Sequence, residues 1–165
     1  MTKRIFGMLL LTFLVLPVLA CDGSFNVSWD DDYSYVTFSM TEAQVQEALE
    51  SALESGVRPV LLNPVIQLRP GSIYIEGDLP RQNGDPVPGN LTVRPYVQNG
   101  ELAAEITSVN FDGMNAGSDA IVRMNERLEE ALQRAAAQRN SRSEYHEISV
   151  TSDQLSVTFR TPRER

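Results

Sequence analysis

Few residues in this chain are equipped for chemistry. It holds one thiol, Cys21, and one imidazole, His146, beside 22 carboxylates and 14 basic side chains. One Cys and one His cannot make a zinc site of the usual Cys/His type, a disulfide framework or a haem attachment. Of the basic residues, Lys3 is the single lysine, so beyond the first few positions no Ser-x-x-Lys nucleophile is available. No Gly-x-Ser-x-Gly elbow leads into a helix either. Gly84 and Gly89 stand in a proline-rich stretch that leads into a strand, not a helix, so they form no phosphate cradle. The run Asp30-Asp31-Asp32 lacks the ligand spacing, glycine and closing glutamate of a calcium loop and reads as a solvated turn. Glu47, Glu50 and Glu54 read as the solvated face of a helix, and nothing marks out a carboxylate pair for glycoside hydrolysis. His146 alternates with Ile148 and Val150, which gives it a structural place on a strand. No catalytic residue, metal ligand or cofactor site follows from these residues. The expectation is a protein that is not an enzyme.

Cys21 is the exception. Lys3 and Arg4 precede an apolar run from Ile5 to Leu16, the charge order and length of a secretory signal and too short for a stable span. The run ends in Val18-Leu19-Ala20-Cys21, which resembles the lipobox of bacterial lipoproteins, where the Cys sulfur is lipidated and becomes the mature N-terminus. A lone unpaired thiol in a secreted chain would otherwise be odd. The division that follows is a signal peptide over 1–20, an anchored start and short linker over 21–24, one domain over 25–160 and a polar tail over 161–165. From Cys21 onward, 12 arginines face 22 carboxylates, a net charge of −10. That charge excludes a nucleic-acid partner and is repelled by anionic headgroups. The hold on the membrane then comes from acyl chains on Cys21, at about 0.8 kcal/mol per buried methylene. The expected location is the extracytoplasmic side of a bacterial cell-envelope membrane.

The elements that position any site read as follows. Phe25, Val27 and Trp29 alternate with polar residues, and a β-prone run from Tyr33 to Met40 follows, so the pair reads as a hairpin. Thr41 and Gln44 form a capping box, Met40 and Val45 a hydrophobic staple. Val45, Ala48, Leu49, Ala52 and Leu53 then make one helical stripe, stopped at Gly56. Val60, Leu62, Ile66 and Leu68 share a parity that Pro64 interrupts, predicting an edge or bulge. Ile73 and Ile75 continue after the Pro70-Gly71 turn. Residues 80–89 are the longest loop. Leu91, Val93 and Val97 lead to Asn99-Gly100, the strongest hairpin signal, and Leu102, Ala104 and Ile106 return. Val109 and Phe111 carry the opposite parity, which predicts a bulge near Thr107. Ser118 caps a helix from Asp119 to Arg139, roughly 32 Å long at 1.5 Å per residue, whose stripe includes Ile121, Met124, Leu128 and Leu132. A last hairpin pairs His146–Val150 with Leu155–Phe159. Short steps between strands mean antiparallel pairing, and two amphipathic helices need a sheet face to cover, so the fold class is α+β.

Met40-Thr41-Glu42-Ala43-Gln44-Val45, Asn99-Gly100-Glu101-Leu102 with its strand to Phe111, the 118–139 helix and Asp153-Gln154-Leu155-Ser156-Val157 occur in an order that resembles the YpmS-type and LmeA-like small envelope proteins, related to the tubular lipid-binding (TULIP-like) superfamily. The resemblance covers residues 36–160. It implies a curved antiparallel sheet packed on one long and one shorter amphipathic helix, with a lipid or other apolar ligand held between sheet and long helix. The groove candidates are then Val45, Leu49, Leu53, Ile66, Leu68, Ile73, Ile75, Ile106, Ile121, Met124, Leu128 and Leu132. The alternative is an envelope protein–protein interaction module with a closed core and an acidic binding surface. If Cys21 carries the anchor, Cys21→Ser leaves an unprocessed or soluble product while wild type partitions into detergent. Cleavage and membrane fractionation that survive the substitution would refute the anchor.

Overall fold

Two four-stranded antiparallel sheets, not one, make up the described structure. The structure is a computed structural model, and it describes residues 24–54, 61–81, 84–112, helical positions 119, 121, 122, 125, 126, 128 and 129, and residues 142–163. The strands are β1 (Ser24–Trp29), β2 (Tyr33–Thr41), β3 (Leu62–Arg69), β4 (Ser72–Leu79), β5 (Val87–Gln98), β6 (Glu101–Phe111), β7 (Glu144–Val150) and β8 (Gln154–Pro162). One helix, α1, spans Glu42–Glu54. Sheet A has the order β1-β2-β8-β7, and sheet B is the meander β3-β4-β5-β6.

This corrects the expected α+β architecture of a single curved sheet on a long and a shorter helix. The described structure is mostly antiparallel sheet with one short helix as a complete element. The expected long helix over 119–139 lies largely outside the described residues, Met124 and Leu132 included. The physical reason lies in the connections. Steps within β1-β2, β3 to β6 and β7-β8 are short, but the chain leaves the sheet at α1 and again between Phe111 and Glu144. Those two breaks free the central four strands to form their own layer, and the terminal hairpins join each other instead. A helix of 13 residues is about 20 Å long. It can cover only part of a layer, so the two sheets cover each other.

Local signals explain the elements themselves. The Thr41 N–H donates to Gln44 Oε1 at 2.8 Å and the Gln44 N–H to Thr41 Oγ1 at 3.3 Å, the reciprocal pattern of a capping box. Met40 and Val45 are both buried in one cluster. Asn99 and Gly100 have φ of 55° and 77°, the left-handed pair that a two-residue hairpin with the right twist requires. The predicted irregularities are bulges. Ser108 faces Thr92 and Ile106 faces Val93, which leaves Thr107 as the extra residue. Leu62 faces Asp78 and Val65 faces Glu76, with Asn63 at φ 49° between them. Strand β8 runs on to Pro162, and the Arg163 N–H donates to the Asp32 carbonyl, so the tail read over 161–165 begins as sheet.

Among the described residues, groups outside the sheet ladders engage every sheet edge except β1. On β3 the Ile66 N–H donates to Gln46 Oε1 (2.8 Å), the Leu68 N–H to Glu42 Oε2 (2.7 Å), and Gln46 Nε2 donates to the Pro64 carbonyl (3.1 Å). On β6 the Ile106 N–H donates to Asn125 Oδ1 at 2.8 Å. Strand β7 lies beside β5, with the Tyr145 N–H on the Gly100 carbonyl and the Gly71 N–H on the Val150 carbonyl. Those two bonds tie sheet A to two of the three hairpin turns of sheet B, β3–β4 and β5–β6. Gln46→Ala strips β3 of two of its bonds and should lower stability by about 1–3 kcal/mol for the partly buried groups left behind, measured by urea unfolding. Glu50→Ala on the same helix, whose carboxylate only accepts from Gln46 Nε2 on the exposed side, should change little. Equal effects would show that edge capping is not what α1 contributes.

Candidate functional site

The residues expected to line a groove do not converge on one space. Val45, Ile66 and Leu68 are buried with Met40, Val150 and Leu155, and Leu49, Ile73 and Ile75 pack on them. Ile75 also touches a second cluster of Leu61, Val87, Leu91 and Phe111, to which Ile106 belongs. Leu128 packs on a third, formed by Leu102, Tyr145 and Val157, and Ile148 joins that cluster to the first. Ile121 is almost fully buried. Leu53, Met124, Leu132 and the lipidation candidate Cys21 lie outside the residues whose side chains are described. These apolar side chains fill three linked cores.

His146 does not lie in phase with Ile148 and Val150 as the alternation predicted. A bulge between Tyr145 and Glu147 shifts the register, so Tyr145 pairs with Phe159 and takes the buried place. His146 is exposed, its ring 5.0 Å from that of Tyr35. Tyr35 donates its hydroxyl to Asp30 Oδ2 at 2.8 Å, while Asp30 Oδ1 accepts from the N–H groups of Asp32 and Tyr33. Arg163 Nη1 donates to the Asp30 carbonyl, and Arg160 binds Glu144 Oε2 at 2.9 Å. The Tyr33 N–H, then the Tyr35 hydroxyl and the Asp32 N–H, hold the Asp30 carboxyl below its ordinary value near 3.8. The bond to Asp30 in turn raises Tyr35. The hydrogen bonds of Asp30 close the β1–β2 turn, and the whole group is open to water.

The hollow between β3, β4 and β5 is equally unsuited to an apolar ligand. It is an open depression of about 430 Å³, lined by Asn63, Glu76, Gly77, Asp78, Pro88, Gly89 and Asn90. Among the described residues no three carboxylate, imidazole or thiol groups gather to hold a metal.

What the structure does offer is an uncovered apolar margin on sheet A. Residues paired across strands share a face, so Phe25, Val27 and Trp29 of β1 lie with Phe38, Val36 and Ser34 of β2, and these with Val157, Phe159 and Thr161 of β8. The other face carries Asn26, Ser28, Thr37, Ser39, Thr158 and Ser156, with hydroxyl bonds Thr37–Thr158 and Ser39–Ser156 at 2.8 Å. Cover on the apolar face fades across the sheet. Leu155 is 1% exposed, Val36 and Phe38 are half-buried, and Phe25, Val27 and Trp29 are 69%, 46% and 69% exposed. Sequence reasoning placed these three residues on a strand but did not see that no other described residue covers them. The signal at hand was their place in an opening strand with no charge among six residues. No family model, curated protein or solved structure matches this chain.

A carboxylate held below its ordinary range stabilises the fold while ionised. Asp30 therefore contributes above its unfolded value, and the contribution is lost as pH falls through its lowered folded value. Asp30→Asn keeps an acceptor for the turn but removes that titration. Its melting temperature should sit below wild type at neutral pH and converge with it in strong acid. A constant gap across the acid range would show that the charge of Asp30 is not what the turn uses.

Proposed function

We propose that this chain is a non-catalytic, membrane-anchored lipoprotein of the bacterial cell envelope that acts as an interaction module, with a closed core and partners engaged from outside. The observation that carries this reading is the fate of the groove candidates. Val45, Ile66, Leu68 and Ile121 are buried, while among the described residues three of the five large apolar side chains left exposed, Phe25, Val27 and Trp29, stand together on the outer strand β1, Val65 and Val122 lying elsewhere. A ligand carrier keeps its apolar lining facing an internal space; the packing of Val45, Ile66, Leu68 and Ile121 speaks for a closed core instead. The lipid-binding reading, which needs a space between sheet and long helix, draws no support from Ile121 and Leu128, since one is buried and the other packs on the third core. The anchor rests on the lipobox at Cys21. Among the described residues no helix is long and apolar enough to cross a membrane. The net charge of −10 keeps the exterior acidic, which disfavours an anionic membrane surface, while the outer strand β1 itself carries no charge.

Two measurements on delipidated full-length protein test the closed core. A fluorescent fatty acid should show no saturable binding. Leu68→Ala, which empties space in a packed cluster, should cost about 2–5 kcal/mol. Saturable uptake of the dye, with a Leu68→Ala variant that melts near wild type, would restore the lipid-carrier reading.

A further inference from the structure

Strand β1 is the sheet edge that the fold leaves open. Side chains of α1 occupy the N–H groups of β3, Asn125 takes that of Ile106 on β6, and two hairpin turns bind the ends of β7. On β1 no described group does the same, and all six of its residues are exposed. The strand also lacks the usual devices that keep an edge from pairing, having no proline, lysine or bulge. Its sequence is symmetric about one residue. Reading outward from Val27, each direction meets a polar residue, Asn26 or Ser28, and then an aromatic one, Phe25 or Trp29.

We propose that β1 pairs antiparallel with β1 of a second copy, centred on Val27, to join two A sheets into one of eight strands. This names the partner of the interaction module and so rests on that reading. In that register Val27 faces its own equivalent, Asn26 faces Ser28, and Phe25 faces Trp29 on the apolar side. Such pairs stabilise a sheet edge-on. Unlike a bilayer, a second copy can reach the bare strip. The strip shares its face with Leu155 and Val157, which the rest of the protein covers, so it lies at the foot of a step as deep as a packed layer, about 10 Å. A flat membrane surface stops at the top of that step, whereas a strand added in the plane of sheet A does not.

Geometry and anchoring agree. Two antiparallel strands in one sheet are related by a two-fold axis normal to that sheet. With the axis along the membrane normal, both chains enter the same leaflet from opposite ends of the strand pair. Cys21 stands three residues before Ser24, a reach of roughly 10 Å when extended. Each large aromatic buries roughly 150–250 Å² when fully covered, so this strip alone falls short of the ~1,200 Å² of a standard interface. The pairing is therefore weak in free solution and is favoured by confinement of both copies to one membrane, which raises their effective concentration.

Val27→Cys in the full-length, membrane-embedded protein tests it, because lipidation consumes the thiol of Cys21 and leaves residue 27 as the free one. Directly opposed residues in such a pair have Cα atoms about 4.5–5.5 Å apart, within disulfide reach. Mild oxidation of the membranes should join Val27→Cys into a homodimer several-fold more than Ser152→Cys, an exposed position on the distal β7–β8 turn. Wild type treated alike should give none. A dimer formed by wild type would show a free Cys21 and overturn the anchor without touching the strand pairing, which the excess from Val27→Cys still reads. Trp29, the single tryptophan, supplies a second readout that needs no substitution. Its emission should shift to the red as detergent-solubilised protein is diluted and the pair separates. The proposal is overturned if Val27→Cys dimerises no more than Ser152→Cys, if it joins a different protein in place of itself, or if lipids brominated in their acyl chains quench Trp29.

Discussion

The pairing of β2 with β8 brings the two ends of the domain together, and the rest of the structure is arranged around it. Nine consecutive residues, Tyr33 to Thr41, oppose Pro162 to Gln154 without a bulge. One face of this ladder is a run of hydroxyls, with Thr37 on Thr158 and Ser39 on Ser156. The other is apolar, with Met40 beside Leu155, Phe38 beside Val157 and Val36 beside Phe159. Both faces are satisfied in their own way, so the register has no competitor one residue away. A slip by one would set every hydroxyl against an apolar face. Contacts over more than a hundred residues of sequence are slow to form, because loop closure must precede any gain from pairing.

Once that ladder exists, the position of α1 follows. The helix starts where β2 ends, so its first turns lie beside the next strand to arrive, β3. Glu42 and Gln46 then reach the backbone of β3 from the exposed shoulder of the helix, while Val45 and Ala48 turn inward. The same 13 residues thus cover apolar surface and cap a sheet edge. Sheet B in turn has two of its three hairpin turns pinned to β7 through Gly71 and Gly100. Shared residues rather than a single core link the layers: Ile75 between the first and second clusters, Ile148 between the first and third.

The same economy leaves β1 aside. Sheet A is wider than the cover it receives, so its apolar face is dry at β8 and β7 and wet at β1. An exposed strip of Phe, Val and Trp costs solubility, and an acidic exterior offsets part of that. Such a strip, on an edge with no protection of its own, is a surface that the described residues leave for something else to cover.

Much of this was legible residue by residue. The capping box at Thr41 and Gln44, the Asn99-Gly100 turn, and the bulges near Pro64 and at Thr107 each depend on a few neighbouring residues, and each stands in the structure. Periodicity also told which strands have an apolar face. It could not tell what lies on that face, since alternation is the same for a strand covered by a second sheet, by a helix or by nothing. Phe25, Val27 and Trp29 alternate as cleanly as Leu155, Val157 and Phe159, yet one set is bare and the other covered. The bulge at His146 was illegible for the same reason: only pairing with Phe159 selects Tyr145 for the interior. By itself the sequence determined the acidic charge, the helix start at Thr41 and the Asn99-Gly100 turn, because composition needs no fold and the other two rest on local sterics and local hydrogen bonds. Strand ends it misjudged, since β5 begins at Val87 within the stretch read as loop and β8 runs on to Pro162, both extended by pairing with other strands. The tertiary structure alone decided the division into two sheets, the burial of Val45, Ile66 and Leu68 in one cluster and, among the described residues, the exposure of β1, because each is a competition among distant segments for the same surface.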